Sequence, residues 1–253
     1  MASLSVCIEM VFAALPIAER IERAAGAGAD AVEFWGWRDK DLDAIAATCA
    51  DAGVDLAAML GSDAPLTDPH GTDAAVRDLE RSIEAAAEAG CPNLIVTVGP
   101  EQEGHSRDEQ HDAIVEALDR VAETAADAGV TLGVEPLNTA VDHPGYYLSS
   151  ASEGREIVRA VDSPAVGLLF DVYHQQITEG DVTRGLTESV DDLTYVHLAD
   201  NPGRNEPGTG ELNYETILSA LREAGYDGYV GCEFSPVGDD AAAVEHCRKL
   251  LAD

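Results

Sequence analysis

Short apolar, β-branched runs alternate eight times along the chain with longer amphipathic segments rich in Ala, Glu and Asp. Each pair of segments predicts one β-strand followed by one α-helix. The predicted strands cover residues 4–9, 31–35, 55–60, 93–98, 131–135, 165–171, 194–198 and 228–233. The predicted helices lie near residues 17–27, 41–52, 73–90, 107–128, 151–161, 182–190, 214–224 and 239–251. Repeated βα units of this kind are typical of a parallel sheet.

Eight βα units in 253 residues suit a closed (β/α)8 barrel, which commonly needs about 250 residues. A doubly wound sheet is the alternative, but it normally carries a glycine-rich phosphate loop after its first strand. Residues 9–20 read EMVFAALPIAER and contain no glycine. No linker or low-complexity tract divides the chain. We therefore predict an α/β fold with one TIM-barrel domain over residues 1–253. Helix-ending glycines that tolerate positive φ are expected at Gly53, Gly90, Gly129 and Gly225.

Four consecutive predicted strands end in side chains that can bind a metal ion, and these are Glu135, Asp171, His197 and Glu233. The carboxyl ends of barrel strands open at one face, where active sites assemble. A single acid at such a position often caps a helix or faces water. Three neighbouring carboxylates, however, would repel one another strongly without a cation between them. We predict a metal site formed by these four residues.

The predicted ligands are mostly oxygen atoms with one imidazole nitrogen, a set that suits Mg²⁺ or Mn²⁺, with Co²⁺ and Zn²⁺ as further options. Cys232 is next to Glu233, but strand alternation directs its side chain to the opposite face, so we exclude it as a ligand. The five cysteines stand singly, without a C-x-x-C pair. They are typical of reduced, mostly buried thiols in a cytoplasmic protein.

The chain has 48 acidic and 15 basic residues, for a net charge of -33. A charge of this sign argues against nucleic acid and anionic membranes as partners. The acids are spread over the predicted helices, as on the surfaces of halophilic proteins. No export signal or run of roughly 18 apolar residues is visible. We expect a cytoplasmic protein with a small-molecule carbonyl or sugar substrate, and a homo-oligomer stays open.

Several segments of the second half resemble the hydroxypyruvate isomerase family. They are VEPLN at 134–138, HPGYYL at 143–148, FDVYHQQ at 170–176, ADNPGRNEPGTGELNY at 199–214 and GYVGCEFSP at 228–236. In the first half the clearest similarity is VEFWGW at 32–37. That family belongs to the xylose-isomerase-like TIM-barrel group of sugar isomerases and epimerases, so the resemblance implies the same barrel and a related reaction.

The resemblance implies roles for individual residues. Glu135 and Glu233 correspond to the glutamates that bind the metal and flank the substrate carbon, and Asp171 and His197 to the other two ligands. His174, in the Asp-x-x-His pattern, corresponds to a substrate-binding histidine. Isomerisation of an α-hydroxy carbonyl needs a base, an acid and stabilisation of enediolate oxygens. We therefore predict that Glu135 and Glu233 are the catalytic acid/base pair, with the divalent ion as Lewis acid.

Further residues near the strand ends have less definite roles. Arg204 and Glu206 lie in the matching loop and are predicted to meet substrate oxygens. The alternative for Arg204 is an ion pair with neighbouring acids such as Glu206 and Asp200. Trp35 is predicted to line the substrate pocket, with core packing as its alternative. No definite role is assigned to Glu9, Glu33 or Trp37.

Two departures from the family pattern leave the substrate open. Residues 57–61 read AAMLG where the family has a histidine near the third strand's end, and His197 stands where the family often has glutamine. An imidazole on the seventh strand is the pattern of ketose 3-epimerases, so an epimerase or an inosose dehydratase is an alternative. A nuclease of the endonuclease IV type shares a similar ligand framework, but it needs further histidines and the net charge opposes DNA binding.

Overall fold

The computed structural model describes residues 2–252, and within them eight parallel strands close into one barrel in sequence order, with β8 paired to β1. The prediction of a (β/α)8 barrel is confirmed. The strands are β1 (Ser3–Cys7), β2 (Ala31–Phe34), β3 (Asp55–Leu60), β4 (Asn93–Val96), β5 (Thr131–Val134), β6 (Val166–Asp171), β7 (Leu193–Leu198) and β8 (Tyr229–Cys232).

Nine α-helices within the described residues surround the strands. They are α1 (Ile17–Gly26), α2 (Leu42–Ala52), α3 (Thr72–Ala89), α4 (Arg107–Ala128), α5 (Ala151–Val161), α6 (Val172–Thr178), α7 (Val182–Glu188), α8 (Tyr214–Glu223) and α9 (Asp240–Ala252). A 3-10 turn at Val190–Asp192 precedes β7. The sequence predicted one helix between β6 and β7, but the structure has two. The additional helix α6 follows β6 without a break, because Asp171 ends the strand and also caps the helix.

Local sequence signals explain several helix boundaries. Gly53, Gly90 and Gly129 adopt left-handed φ angles of 74°, 71° and 69° at the ends of α2, α3 and α4, as predicted. Ser106 and Glu109 form a reciprocal capping box at the start of α4. These caps satisfy backbone groups at the helix ends and fix where the chain turns back to the next strand.

Strand alternation divides the barrel into an outer and an inner face. A small apolar cluster contains Leu169 and Tyr195, which precede Asp171 and His197 by two residues and therefore share their inward direction. Asp171 is in register with His197, and His197 with Gly231 of β8. The inward positions at the carboxyl ends of β6, β7 and β8 thus lie side by side.

The cysteines are free and buried within the described structure. Cys232 is part of the outer apolar core together with Cys247 of α9. This agrees with the prediction that Cys232 points away from the inner face. Among residues 2–252, no helix combines the length and the apolar character needed to cross a lipid bilayer.

Candidate metal and active site

The side chains of Glu135, Asp171, His197 and Glu233 converge inside the carboxyl end of the barrel. One ligand atom from each lies within 4.8 Å of the others, and all four residues are buried. Nδ1 of His197 is 3.2 Å from Oε1 of Glu135, 3.3 Å from Oε2 of Glu233 and 3.9 Å from Oδ2 of Asp171. The structure therefore brings together the four side chains that were predicted to form a metal site.

Glu33 lies behind the imidazole. Its Oε1 is 2.9 Å from Nε2 of His197, although the direction of the ring N–H is not that of an aligned hydrogen bond. Its Oε2 accepts hydrogen bonds from the hydroxyls of Ser5, at 3.0 Å, and Tyr195. A carboxylate beside the outer nitrogen of a ligating histidine fixes the ring and leaves the inner nitrogen free to bind a metal.

Gly231 provides the space for this contact. A Cβ atom at Gly231 would lie 2.6 Å from Oε2 of Glu33 and 2.9 Å from Cδ2 of His197. Both distances are shorter than real Cβ atoms show, so any other residue at this inward position would displace the pair. The glycine in the VGCE sequence of β8 therefore has a specific packing role beneath the cluster of candidate metal ligands.

The electrostatic environment of the cluster favours positive charge at its centre. Burial, with a further contribution from Glu233, raises the pKa of Asp171 to about 6, and burial also raises the pKa of Glu135. Burial lowers the pKa of His197, but the neighbouring charges of Glu233 and Glu33 outweigh it and hold the pKa well above its usual range. Three acids thus share one imidazole, and Oδ2 of Asp171 has no hydrogen-bond partner.

The donor set fits a hard divalent cation. Three carboxylates and one ring nitrogen are close enough to share an ion, and an unpartnered carboxylate oxygen is expensive to bury in a low-dielectric interior. A cation would satisfy that oxygen and offset the repulsion among the acids. The cluster is therefore consistent with a metal site.

His174 lies beside the cluster on α6 and is fully buried. Its Nδ1 accepts a hydrogen bond from the backbone N–H of Asn138 at 3.2 Å, so we assign the proton of the neutral ring to Nε2. Burial lowers the pKa of His174 to about 4, and Nε2 has no hydrogen-bond partner within the described structure. A neutral imidazole with a free N–H at the cavity wall is a donor for a ligand oxygen.

Arg204 points into the site from the loop after β7. Its Nη2 donates to Oε2 of Glu233 at 2.5 Å and lies 3.8 Å from Oδ2 of Asp171. Asp200, considered as a partner from the sequence, instead accepts backbone N–H groups of the same loop, including those of Gly208 and Gly210. Arg204 is therefore paired with the predicted metal ligands.

A cavity of ≈ 250 Å³ opens above the cluster. Trp35 lies at its wall, 43% exposed, and donates its indole N–H to Oε1 of Glu233 at 3.0 Å. Glu135, His174, Arg204 and Glu233 also line this cavity. The lining is completed by Leu60, Ile95, Thr97, Leu137 and His143.

Other residues considered from the sequence lie elsewhere. The Glu206 carboxylate accepts the backbone N–H of Val237 at 2.9 Å, and Glu206 is not among the described residues that line the cavity. Glu9 pairs with Lys40 at 2.9 Å in a separate cavity between α1 and α2. The Trp37 indole N–H donates to Ser82 on α3. These three side chains do not join the cluster.

Sequence reasoning did not find the residues that hold the cluster in place. Asn138 orients His174, and Tyr195 with Ser5 holds Glu33. A partial signal was present, because Tyr195 and His197 are two positions apart on one strand and therefore face the same side. The sequence contained no signal that would pair Glu33 with His197.

The family model described as xylose isomerase-like TIM barrel matches residues 21–252. A Streptomyces coelicolor protein provisionally named hydroxypyruvate isomerase is 35% identical, with 94% of this chain and 92% of that protein covered. The chain belongs to the hydroxypyruvate isomerase family of xylose isomerase-like barrels.

Other members of this isomerase family differ in their named substrates. Hydroxypyruvate isomerase of Escherichia coli is 28% identical, with 90% of this chain and 92% of that protein covered. The 2-oxo-tetronate isomerase of Haemophilus influenzae is 29% identical, with 96% of each protein covered. The family membership therefore establishes the class of enzyme, an isomerase, more firmly than the substrate.

Solved structures share the whole fold. A Brucella melitensis protein, described as an AP endonuclease of family 2, superposes with a TM-score of 0.91 at 30% identity, covering 98% of this chain and 99% of that one. The 3-keto-D-glucoside 4-epimerase of Escherichia coli superposes with a TM-score of 0.84 at 25% identity, covering 100% of this chain and 98% of that one. The same barrel thus occurs under several functional names.

Proposed function

We propose that this protein is a divalent-metal-dependent isomerase of a small α-hydroxy carbonyl compound, either a 2-oxo acid or a ketose. The observation that carries the proposal is the position of Glu135 and Glu233. The two residues directly follow β5 and β8, their carboxylates lie 3.2 and 3.3 Å from one ring nitrogen of His197, and both line the same cavity. The names of the isomerase relatives support this reaction class.

Glu135, Asp171, His197 and Glu233 would hold the ion, and their oxygen-rich set suits Mg²⁺ or Mn²⁺ better than a softer metal. A bound divalent ion would act as Lewis acid on the adjacent substrate oxygens and orient the reacting carbons. Co²⁺ and Zn²⁺ are compatible with the same donors.

The two glutamates would carry the proton transfer. One carboxylate removes the proton from the carbon that bears the hydroxyl, and the electron pair left behind forms the carbon–carbon double bond of an enediolate. The other glutamate delivers a proton to the adjacent carbon, and the hydroxyl proton passes to the former carbonyl oxygen. One carbon is oxidised and its neighbour reduced, so no external redox partner is needed.

His174 and Arg204 would bind substrate oxygens in this scheme. His174 lines the cavity with no hydrogen-bond partner on Nε2, and its neutral state suits donation to a carbonyl that becomes an enediolate. Arg204 donates to Glu233 at 2.5 Å and lines the same cavity. Trp35 forms the wall beside Glu233. Glu206, whose carboxylate accepts the backbone N–H of Val237, would lie outside the substrate site.

The test uses Glu135→Gln and Glu233→Gln, with Glu101→Gln as a matched control on the exposed surface, where Glu101 pairs with Arg107. Hydroxypyruvate and a small panel of ketoses are incubated with Mn²⁺ in deuterium oxide. We expect turnover and deuterium incorporation in wild type and control, and a loss of about 10²- to 10⁴-fold in each site variant. Wild-type turnover in both site variants would overturn the proposal.

A ketose 3-epimerase is the second candidate, and the imidazole of His197 on β7 favours it. An epimerase returns the proton to the carbon from which it was removed, so the ketone keeps its position. NMR analysis of the products separates the two reactions. Loss of water from the substrate would instead indicate an inosose dehydratase-like activity on the same scaffold.

The Brucella melitensis structure is described as an AP endonuclease, so a nuclease activity should also be tested. Within residues 2–252, one group of metal-ligating side chains is brought together, and three of its four members are acids. The net charge of -33 opposes DNA binding. Cleavage of a duplex with an abasic site would reverse our ranking of these functions.

The surroundings in which the enzyme works can be proposed from its surface and its thiols. Free buried cysteines and a net charge of -33 suit a cytoplasm with high salt. We expect thermal stability and activity to rise from 0.1 M to molar KCl. Unchanged melting temperature across that range would contradict the halophilic interpretation.

A further inference from the structure

The cavity above the cluster has two chemically different sides. The loops and strands from β5 to β8 supply Glu135, His174, Arg204 and Glu233, which include the two glutamates of the proposed proton transfer. Strands β2 to β4 and their following loops supply the other side. That side consists of Trp35, Leu60, Ile95 and Thr97.

The side from β2 to β4 offers few hydrogen bonds. Leu60 packs against the inner apolar cluster, and Ile95 belongs to it. The indole N–H of Trp35 is already donated to Glu233. Among the described lining residues on this side, the Thr97 hydroxyl is therefore the polar side-chain group left for a substrate, and Leu137 adds a further apolar surface from the loop after β5.

The cavity also offers little charge complementarity beyond the reacting carbons. Arg204 is already paired at 2.5 Å with Glu233 and lies 3.8 Å from Asp171. The remaining basic group, His143, lies next to His174, with ring centroids 5.5 Å apart, and so belongs to the polar side. A second carboxylate or several hydroxyls at the far end of a substrate would meet Leu60 and Ile95 without adequate partners.

We propose that the preferred substrate ends in an alkyl or deoxy carbon on the side away from the reacting α-hydroxy carbonyl, and that Leu60 and Ile95 select for that end. This inference rests on the proposed function. A site that buries a substrate hydroxyl against an apolar wall loses the hydrogen bonds that the hydroxyl made with water. We expect a discrimination of about 10- to 100-fold in kcat/KM.

The test compares two substrates that differ in one group, a 2-ketopentose and its 5-deoxy analogue, with the Mn²⁺-loaded enzyme. The expected result is a kcat/KM for the deoxy compound that is higher by about 10- to 100-fold. Dissociation constants for the corresponding unreactive alditol and deoxy alditol are measured by calorimetry with the same metal-loaded protein. We expect the deoxy alditol to have the lower dissociation constant.

Two variants at one position provide the control. Leu60→Gln places an amide at the wall, and Leu60→Met keeps the wall apolar with a similar volume. Leu60 is the last residue of β3 and is partly exposed, so either side chain can be accommodated at the cavity. We expect Leu60→Gln to reduce the preference for the deoxy compound by about 10-fold and Leu60→Met to retain it.

The possible outcomes separate this inference from the proposed function. Equal turnover of both ketoses, or a preference for the hydroxylated one, would overturn the selection by Leu60 and Ile95 and leave the isomerase proposal standing. Absence of turnover would count against the isomerase proposal, and the ratio of the two alditol dissociation constants would still decide the selection. Equal dissociation constants for the two alditols would overturn the proposed selection by Leu60 and Ile95.

Discussion

Asp171 and Asp78 are both buried carboxylates, and their surroundings differ. Asp78, on α3, accepts hydrogen bonds from Arg38 at 2.5 Å and Arg81 at 2.9 Å, and from the backbone N–H of Asp63 at 2.9 Å. Burial alone would raise the pKa of Asp78, but these donors outweigh it and lower the pKa to about 2. The protein itself satisfies this carboxylate.

Only one carboxylate oxygen of Asp171 has a hydrogen-bond partner. Its Oδ1 accepts the backbone N–H of His174 at 3.0 Å, and its Oδ2 has no hydrogen-bond partner. Burial raises the pKa of Asp171 to about 6. The comparison gives a distinction that can be tested: a buried acid with a complete set of donors is expected to stabilise the fold, and one with an incomplete set is a candidate for binding an ion or ligand.

The largest expected effect separates these two roles. Asp171→Asn should reduce kcat/KM by at least about 100-fold, because it removes a predicted metal ligand. Its metal-free fold should be as stable as wild type, since the ionised Asp171 is disfavoured by burial and asparagine carries no charge. Steady-state kinetics and thermal unfolding measure the two effects. Retained activity together with a large loss of stability would refute the proposed role of Asp171.

Asp78→Asn should show the reverse pattern. Asparagine at this position cannot accept every hydrogen bond that Arg38, Arg81 and the backbone N–H of Asp63 donate to the buried carboxylate, so we expect a loss of about 3 kcal/mol in the free energy of unfolding. The activity of the folded enzyme should be unchanged. Asp73→Asn is the matched control on the same helix, because Asp73 pairs with Arg120 at 2.9 Å but is 74% exposed.

The control variant should lose no more than about 1 kcal/mol in the free energy of unfolding, because exposed ion pairs contribute little to stability. Denaturation in urea measures the free energy of unfolding of wild type, Asp78→Asn and Asp73→Asn. If Asp78→Asn were as stable as Asp73→Asn, the donors around Asp78 would not be the source of fold stability that the structure indicates.

Asp171 could be found from the sequence, and Asp78 could not. Asp171 ends the apolar run VGLLFD, and the barrel geometry places it beside His197 and Glu233 without further information. Asp78 is one of many acids on amphipathic helices, and its partner Arg38 is 40 residues away. Sequence patterns predict which face of an element a residue occupies, but they do not predict which distant side chain it meets.

The same limit applies within the site. The four ligand candidates each follow a regular strand pattern, and the structure brings them together as expected. The contact between Glu33 and His197 joins residues on β2 and β7 and depends on the bare backbone of Gly231. Glu206 was placed at the substrate by its loop, whereas its carboxylate binds the backbone of Val237.

The carboxylate of Glu33 is hydrogen-bonded less completely than that of Asp78 and more completely than that of Asp171. Two hydroxyls satisfy Oε2, and Oε1 lies 2.9 Å from His197. If Glu33 acts through the imidazole, Glu33→Gln should weaken Mn²⁺ binding by about 10- to 100-fold, as changes behind a metal ligand do. Isothermal titration of the metal-free protein with Mn²⁺ measures this, with Asp171→Asn as the variant expected to bind least.

Glu9→Gln is the control for this experiment. It removes a charge in the turn that follows the neighbouring strand β1, where Glu9 pairs with Lys40 and Arg20 rather than with the cluster. Its Mn²⁺ affinity should match that of wild type. Equal affinities in wild type and Glu33→Gln would mean that Glu33 supports the barrel interior and not the metal site.

The smallest expected effect is a change in acid stability. The pKa of Asp78 is about 2 in the folded protein, below its ordinary value of 3.8. Its contribution is therefore complete above pH 3.8 and is lost as the pH falls towards 2, and this loss amounts to at most about 2 kcal/mol. Urea midpoints at pH 4.5 and near pH 2.5, in one salt concentration, measure it. Between these two pH values, the urea midpoint of Asp78→Asn should fall less than that of Asp73→Asn. Equal decreases in the two variants would mean that other carboxylates cause the acid sensitivity of the fold.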